Sequence, residues 1–214
     1  IIGGFYMEGP YMNPKYGDSP EKNKWRAKIK KEDYLPIVEA VGSLAKVYVV
    51  APERDGIEEF VQDVKKYYPD AVFSVGHSEA TPEQVQKLKK YGIRLQTHCM
   101  NATGRVETIN GVRSCGPDEA CLMDNDIYAE LICDSCGTHV HPDMLRMVIG
   151  VKGVEKIILV SDSFVSAEES PEELKPIKDL QFDANGGLCG SKLTLDIACN
   201  NLLTHTNCGI TPAF

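Results

Sequence analysis

The sequence predicts an α/β protein of the TIM-type (β/α)8 barrel kind, and an incomplete one with about six βα units. Short apolar segments rich in β-branched residues alternate with amphipathic segments, which is typical of a parallel sheet covered by helices on both faces. Polar side chains that could bind a metal or act in catalysis follow these apolar segments. A TIM-type barrel builds its site at such strand ends. Six strands, where a full barrel has eight, indicate that part of the barrel lies outside the chain.

In the first half of the chain, each strand is predicted from a continuous apolar run and each helix from an apolar stripe at helical spacing. Glycine and proline residues separate the two kinds of segment. The predicted strands cover Ile1–Met7, Lys46–Val50, Ala71–Val75 and Ile93–Thr97, and the helices cover Tyr34–Ala45, Gly56–Tyr68 and Pro82–Tyr91.

The second half continues the same alternation with longer irregular connections. Strands are predicted for Ile127–Cys133 and Glu155–Val160, and helices for Pro117–Met123, His141–Gly150 and Thr194–Leu203. Three stretches are predicted to be irregular: a glycine-rich loop over 103–118, a charged linker from Ala167 to Asp179 and a glycine-rich turn from Asn185 to Gly190.

The stretch from Ala71 to Ala102 carries the strongest local signals. Thr81-Pro82-Glu83-Gln84 has the residues of a capping box, with proline at the first helical position. The strand before this helix leads to His77 and the strand after it leads to His98. Because parallel strands end side by side, both imidazoles are expected to face one point, where a metal suits them better than a core.

Composition limits the class of function. The net charge of −8 argues against nucleic acid as a partner, and no apolar run is long enough to span a membrane. Eight cysteines in a chain of this length, several inside apolar segments, are expected to be free thiols of a cytoplasmic protein. Cys133 and Cys136 form a CxxC pair, for which a zinc or redox role is a minor alternative. Ile1 stands where a methionine would begin a complete protein, so the chain is expected to be a fragment.

Five polar residues stand at strand ends and suggest one reaction centre. Glu8, His77 and His98 are the ligand types of a catalytic zinc site, and Asp162 could serve as a base there. His139, on another such loop, is placed to contact a substrate carbonyl or an acidic group. Each residue alone has an ordinary structural explanation, as a turn or a packed histidine; five together favour the functional one.

The chain resembles the N-acetylglucosamine-6-phosphate deacetylase family of the amidohydrolase superfamily. The matching motifs run through almost the whole chain in the family's order. They are GFYMEGPY (4–11), VGHSEA (75–80), THCMNA (97–102), YAELICDSCGTHVHPDML (128–145), LVSDS (159–163) and GLCGSKLTLDIACNNL (187–202).

The resemblance implies a role for each matched residue. Glu8, His77 and His98 would bind one divalent metal, with zinc expected and Fe²⁺, Mn²⁺ or Co²⁺ as alternatives. Asp162 would be the general base and then the acid, and His139 would contact the substrate near the scissile amide. The residues implied in holding the sugar phosphate are Asn101, Ala102 and Arg113, with Arg105 as a nearby competitor. The resemblance also implies a homodimer and a phosphorylated amino sugar as substrate.

The chain departs from the family's pattern around the sugar and its phosphate. Tyr6 and Ser19 stand where histidines are usual, and Ser114-Cys115-Gly116 follows Arg113 in place of Glu-Pro-Gly. The loop 103–112 differs, and the segment 133–139 is longer by two residues. Alternatives to the deacetylase therefore stay open: a related deacylase acting on another N-acyl amino sugar or amine, or a non-catalytic fragment that binds a metal or a sugar phosphate.

Overall fold

The structure is a computed structural model of the chain, and it describes residues 2–17, 26–104, 107–163, 171–183 and 186–209. It divides into two compact units, 1–128 and 129–214. Each unit is described by itself below.

The first unit is built on four parallel strands in the order β1-β2-β3-β4. Residue pairs such as Val50 with Val75 and Val75 with Gln96 set the register, so that β2, β3 and β4 end at the same edge. The strands are β1 (Phe5–Met7), β2 (Ala45–Val50), β3 (Val72–Val75) and β4 (Ile93–Gln96). The helices are α1 (Lys31–Val41), α2 (Ile57–Tyr67), α3 (Pro82–Lys89) and α4 (Pro117–Met123).

Helix α3 begins where the sequence predicts. The Thr81 hydroxyl accepts a hydrogen bond from the Gln84 amide at 3.4 Å, and the Gln84 side chain accepts one from the Thr81 amide at 2.9 Å. Two amides that the helix itself cannot satisfy are thus paired, and Pro82 needs no partner for its missing N–H. The capping box at Thr81 therefore fixes the point at which the loop that carries His77 ends and α3 begins.

Aromatic rings fill the core of the first unit between its helices and its strands. Phe60 of α2 lies 5.1 Å from the ring centroids of both Tyr11 and Tyr34, edge to face, and 5.9 Å from that of Tyr48. All four side chains are buried. The Tyr34 hydroxyl donates to Asp63 at 2.6 Å, which satisfies its polar end within an otherwise apolar cluster. Tyr11 follows β1 in the chain, so the core packs directly beneath the loop that carries Glu8.

The second unit contains a parallel strand pair and an antiparallel hairpin. Strand β7 (Tyr128–Leu131) pairs with β8 (Ile157–Leu159), and β9 (Leu180–Phe182) pairs with β10 (Leu188–Ser191). Helix α6 (Leu195–Thr206) packs against α5 (Pro142–Lys152) and β8.

Several predicted boundaries were wrong. The loop 103–118 contains a hairpin of β5 (Thr108–Ile109) and β6 (Val112–Arg113), joined by Asn110-Gly111 with positive φ at both residues. Asn-Gly is the preferred pair for such a tight turn, so the signal was present in the sequence. The predicted turn 185–190 includes most of β10, whose residues have no alternating apolar pattern.

Strand and helix ends also differ from the predictions. Strand β7 ends at Leu131, before Cys133, whose carbonyl accepts a hydrogen bond from the Asn201 side chain at 2.9 Å. Helix α1 begins at Lys31 and tolerates Pro36 in its interior. Within the linker 167–179, the described part has a short 3₁₀ turn, Glu172–Leu174.

The α/β class with parallel strand pairs is confirmed, and each of the six predicted strands is present. Closure into a barrel stays a prediction. Among the described residues, no helix combines the length and apolarity that crossing a bilayer would need. The described residues contain no disulfide, and burial raises the pKa of the Cys133 thiol to about 12, which makes it a poor thiolate.

Candidate metal centre

Three side chains of metal-ligand type converge at the carboxyl end of the first unit's strands. Glu8 directly follows β1, while His77 and His98 each stand two residues beyond the paired Val75 and Gln96. The Glu8 Oε1 atom lies 2.6 Å from His77 Nε2 and 3.2 Å from His98 Nε2, and the two Nε2 atoms are 3.0 Å apart. Parallel pairing thus brings together the three residues that the sequence predicted.

The electrostatics of the cluster favour an ionised carboxylate. Burial raises the pKa of Glu8, but its hydrogen bonds with His77 and His98, and their charge when protonated, outweigh that effect. The pKa of Glu8 is therefore well below its usual range. Both histidines are buried, whereas the Glu8 side chain is 40% exposed, so the cluster opens to solvent on the carboxylate side.

Three donors of this kind fit a divalent cation. One carboxylate oxygen and two imidazole nitrogens lie within 4.8 Å of one another, and in described residues this is the one such group of three or more ligands. A catalytic zinc site uses two histidines and a glutamate and leaves a position for water or substrate. Without a cation, two imidazole nitrogens 3.0 Å apart form a favourable contact only if one donates a hydrogen bond to the other. A cation would accept the lone pairs of both nitrogens.

The backbone at both histidines is left-handed. The φ angle is 44° at His77 and 30° at His98, values that few residues other than glycine adopt. Such a conformation costs free energy and persists only where the surroundings impose it. Here it turns each imidazole toward Glu8 as soon as the strand has ended.

Glu53, at the end of β2, holds the loops that carry Glu8 and His77. Its Oε1 atom accepts hydrogen bonds from the Asn13 side chain and from the Glu79 amide, both at 2.8 Å. Its Oε2 atom accepts one from the Ser78 hydroxyl at 2.7 Å. The Asn13 amide in turn donates to the His77 carbonyl at 2.8 Å, so the first and third strand-end loops are tied together.

The loop after β4 orients His98. The His98 Nδ1 atom lies 3.2 Å from the Asn101 carbonyl oxygen, to which it can donate, leaving Nε2 for the cluster. Ala102 follows with a φ of 50°. The two residues predicted to hold the sugar phosphate are thus part of the same tight loop as a metal-type ligand.

Two other residues that the sequence singled out in the first unit, Arg113 and Tyr6, lie within the described residues. Arg113 is exposed on β6, while Arg105 and Ser19 lie outside the described residues. Tyr6, where the family usually has histidine, has its hydroxyl 2.8 Å from the Thr97 hydroxyl, next to His98.

In the second unit, His139 is buried against a carboxylate. Its Nδ1 atom lies 3.0 Å from Asp134 Oδ2, and both side chains are buried. Burial raises the pKa of Asp134, but hydrogen bonds from His139 and from the Thr138 amide outweigh it and bring the pKa to about 2. The ionised Asp134 can only accept, so Nδ1 carries the proton and the imidazole is fixed in orientation.

Asp162 stands three residues after the end of β8 and also has a left-handed backbone, with a φ of 49°. Its carbonyl accepts a hydrogen bond from the Ser191 amide at 3.0 Å. A side chain at Gly190 would come within 2.5 Å of that carbonyl, so only glycine fits there. The β10 strand thus positions the backbone of the predicted base.

The sequence did not single out Glu53 and Asp134, the carboxylates that hold these loops. For Asp134, the available signal was an acidic residue directly after the apolar run that ends at Cys133, since such residues are rarely buried without partners. Glu53 is followed by Arg54 and Asp55 and has no such signal.

Parallel strands that present a carboxylate and two imidazoles at their carboxyl ends have the arrangement that is typical of metal-dependent hydrolases built on α/β barrels. No model of a known protein family matches the chain. Individual curated proteins, however, match its sequence over almost the whole chain. The chain is 30% identical to an N-acetylgalactosamine-6-phosphate deacetylase of Escherichia coli O157:H7, over 98% of this chain and 54% of that protein. It is 26% identical to an N-acetylglucosamine-6-phosphate deacetylase of Bacillus subtilis, over 97% and 52%.

A shorter relative from Escherichia coli K12, provisionally named an N-acetylgalactosamine-6-phosphate deacetylase, is 32% identical over 54% of this chain and 68% of its own length. The solved N-acetylglucosamine-6-phosphate deacetylase of Thermotoga maritima superposes with a TM-score of 0.76 at 29% identity, over 98% of this chain and 56% of that one. The chain belongs to the family of N-acetylglucosamine-6-phosphate and N-acetylgalactosamine-6-phosphate deacetylases. It spans about half the length of the first two relatives.

Proposed function

We propose that the protein is a metal-dependent amide hydrolase that converts N-acetylglucosamine 6-phosphate and water to glucosamine 6-phosphate and acetate. The observation that carries the proposal is the convergence of Glu8, His77 and His98 at one edge of parallel strands. Family membership supports the reaction type, because the relatives named above are deacetylases of phosphorylated N-acetyl amino sugars.

Glu8, His77 and His98 would hold one divalent cation, and zinc suits this mixture of imidazole and carboxylate donors. When bound, such a cation lowers the pKa of water and polarises a carbonyl. Fe²⁺, Mn²⁺ and Co²⁺ accept the same donors, so metal analysis must identify the ion.

Asp162 would accept the proton that the attacking water loses as its oxygen adds to the acyl carbon. It would then give that proton to the amide nitrogen as the carbon–nitrogen bond breaks, because an amide anion is a very poor leaving group. His139, oriented by Asp134, would contact the substrate near the scissile amide. The assignment of Asp162 and His139 rests on the motifs that resemble the family.

Asn101, Ala102 and Arg113 would bind the phosphate of the substrate. A guanidinium matches two phosphate oxygens at once, which favours Arg113. Arg113 is exposed on β6. We expect the active protein to be a homodimer because of the family resemblance.

A second candidate substrate is the epimer N-acetylgalactosamine 6-phosphate. The relative at 30% identity acts on that sugar by its name, and the chain's departures from the family pattern lie around the sugar. Deacylation of another N-acyl amino sugar follows the same chemistry. A metal or sugar-phosphate binding protein without catalysis is the alternative from another class.

Acetate release measured on the full-length protein tests the proposal. We expect turnover of one of the two phosphorylated sugars, its loss on chelation, and its return with a divalent cation. Asp162→Asn should keep the metal and KM while lowering kcat by roughly 10²–10⁴-fold, the usual worth of general acid–base catalysis. Near-normal kcat in that variant would remove Asp162 from the mechanism.

The substrate class is tested by a matched pair. Arg113→Ala should raise KM for the phosphorylated sugar far more than KM for the unphosphorylated one. Equal effects would reject a phosphate role for Arg113. Binding of metal and sugar phosphate without any acetate release would favour the non-catalytic alternative.

A further inference from the structure

Asp118 is a buried carboxylate that none of the assigned chemistry uses. It lies in the first turn of α4, and its side chain faces the loop after β4. Burial raises the pKa of Asp118, and hydrogen bonds from Thr103 and from the Met100 amide oppose that rise. A carboxyl group that is buried at such a cost needs hydrogen-bond partners. The three partners of Asp118 are Gln96, Met100 and Thr103, which belong to β4 and the loop that follows it.

The partners of Asp118 bracket the functional residues of the loop. Its Oδ1 atom accepts from the Met100 amide at 3.0 Å, and its Oδ2 atom accepts from the Thr103 hydroxyl at 2.5 Å. Asn101 and Ala102 lie between these two anchors. The side chain of Gln96, the last residue of β4, also donates to Oδ1 and completes the attachment on the strand side.

The loop needs such an anchor because its backbone is strained. His98, Met100 and Ala102 all have positive φ angles, of 30°, 69° and 50°. Three residues with side chains in this region would relax if nothing held them. Met100, the middle one of the three, is the residue whose amide donates a hydrogen bond to Asp118.

A path of hydrogen bonds leads from Asp118 to the metal-type ligand. The Met100 amide fixes the turn, the Asn101 amide donates to the His98 carbonyl at 2.9 Å, and the Asn101 carbonyl faces His98 Nδ1 at 3.2 Å. The imidazole orientation thus depends on a turn that Asp118 closes.

We propose that Asp118 is a positioning residue that sets the shape of the loop from Thr97 to Gly104, and thereby the affinity of the site for its metal and for the phosphate of its substrate. The phosphate part rests on the proposed function. The metal part rests only on the geometry of Glu8, His77 and His98. Groups that orient metal ligands typically contribute 10–100-fold to metal affinity.

Asp118→Asn tests the proposal, with Asp126→Asn as the matched control. Asp126 is exposed and bonds Lys89 at the surface beyond α4, away from the loop. We expect Asp118→Asn to weaken zinc binding, measured by competition with a chelator, by roughly 10–100-fold. KM for the phosphorylated sugar should rise about tenfold while kcat at saturating metal changes less than about threefold. The control should match the wild type in all three.

Amide hydrogen exchange in the metal-free protein gives a readout independent of activity. The Met100 amide should exchange faster in Asp118→Asn than in Asp126→Asn, whereas amides of β2 should not differ. A purely structural role would lower thermal stability and the folded fraction but leave zinc affinity and KM of the folded protein unchanged, and that result would overturn the proposal.

Thr103→Val keeps the shape of Thr103 and removes one hydrogen bond to Asp118, so it tests the proposal even if Asp118 variants fail to fold. We expect a smaller loss of zinc affinity in the same direction, and no change would overturn the proposal. A wild-type protein that released no acetate would defeat the proposed function, while the zinc and exchange results would still decide the role of Asp118.

Discussion

Asp134 illustrates how much one buried side chain organises at the residue scale. Its two oxygens accept hydrogen bonds from the amides of Cys136, Thr138 and His139, at 2.9–3.1 Å, as well as from the His139 ring. The whole turn between β7 and the histidine is therefore folded around one carboxylate. Its negative charge is what makes all of these bonds favourable.

The stability of the protein should depend on the ionisation of Asp134. Its pKa is about 2 in the folded protein against an ordinary 3.8, so its contribution is present above about pH 4 and is lost as the pH falls through 2. A shift of that size is on the order of 2 kcal/mol. Denaturant unfolding should show Asp134→Asn less stable than the wild type at pH 7, with the gap narrowing below pH of about 4.

Asp143→Asn is the control for the loss of one carboxylate. Asp143 is 73% exposed in the first turn of α5, so its replacement should change the free energy of unfolding at pH 7 far less than Asp134→Asn does. A constant gap between Asp134→Asn and the wild type from pH 7 to pH 3 would contradict the assigned role of the charge.

The residues that converge on the metal-type cluster were predictable, whereas those that hold them were not. Glu8, His77 and His98 follow apolar runs directly, and the parallel arrangement of strands is enough to bring them together. Glu53 and Asp118 act on residues far away in the chain, such as Asn13 and Gln96. No local pattern records such pairings, because they depend on how loops pack after the strands have paired.

At the scale of secondary-structure elements, Gly76 lies directly after β3 at a position where the neighbouring strands leave no room for a side chain. A Cβ atom there would lie 2.7 Å from Thr97 Cβ and 2.8 Å from Val49 Cγ1. Gly76→Ala should therefore push β3 away from its neighbours. We expect a loss of about 1–3 kcal/mol in the free energy of unfolding, measured by denaturant titration.

Gly150→Ala is the matched substitution with the opposite expectation. Gly150 lies in the interior of α5, and nothing lies within 4 Å of the position of an added Cβ. The change should stabilise the protein by about 0.5–1 kcal/mol, because alanine favours the helix. If both variants shifted the stability in the same direction, the close approach at Gly76 would not be the cause.

Elements with local signals were predicted well. Helix α3 has its cap, its proline and its apolar stripe within a few residues, and the structure confirms its start. Strand β10 was missed because its residues, Leu188-Cys189-Gly190-Ser191, have no alternating apolar pattern and lie in a glycine-rich stretch that is typical of a turn. The hairpin turn at Asn110-Gly111 could have been predicted from its Asn-Gly pair, but the loop was predicted to be irregular.

At the scale of the whole molecule, the first unit has an open sheet edge. Strand β1 pairs with β2 on one side, and the described residues place no strand on its other side. Phe5 is 49% and Tyr6 is 42% exposed on this strand. An exposed apolar edge is a template for pairing with another copy.

The 214-residue chain expressed alone should therefore associate in a concentration-dependent way despite its net charge of −8. Phe5→Lys should reduce this association, since charged residues protect edge strands. Tyr67→Lys is the control: Tyr67 is 43% exposed but lies at the end of α2. Light scattering or sedimentation would measure the effect. Equal suppression by both variants would mean that added charge, and not the edge, is responsible.

The left-handed backbone shared by His77, His98 and Asp162 has a consequence for how sequences of this family diverge. Asparagine, aspartate and glycine adopt that conformation at low cost, whereas valine and isoleucine do not. A descendant that has lost the reaction should still avoid β-branched residues at these positions. Drift there should thus favour Asn, Asp or Gly, and the same three positions should tolerate those residues best in a saturation library selected for folding alone.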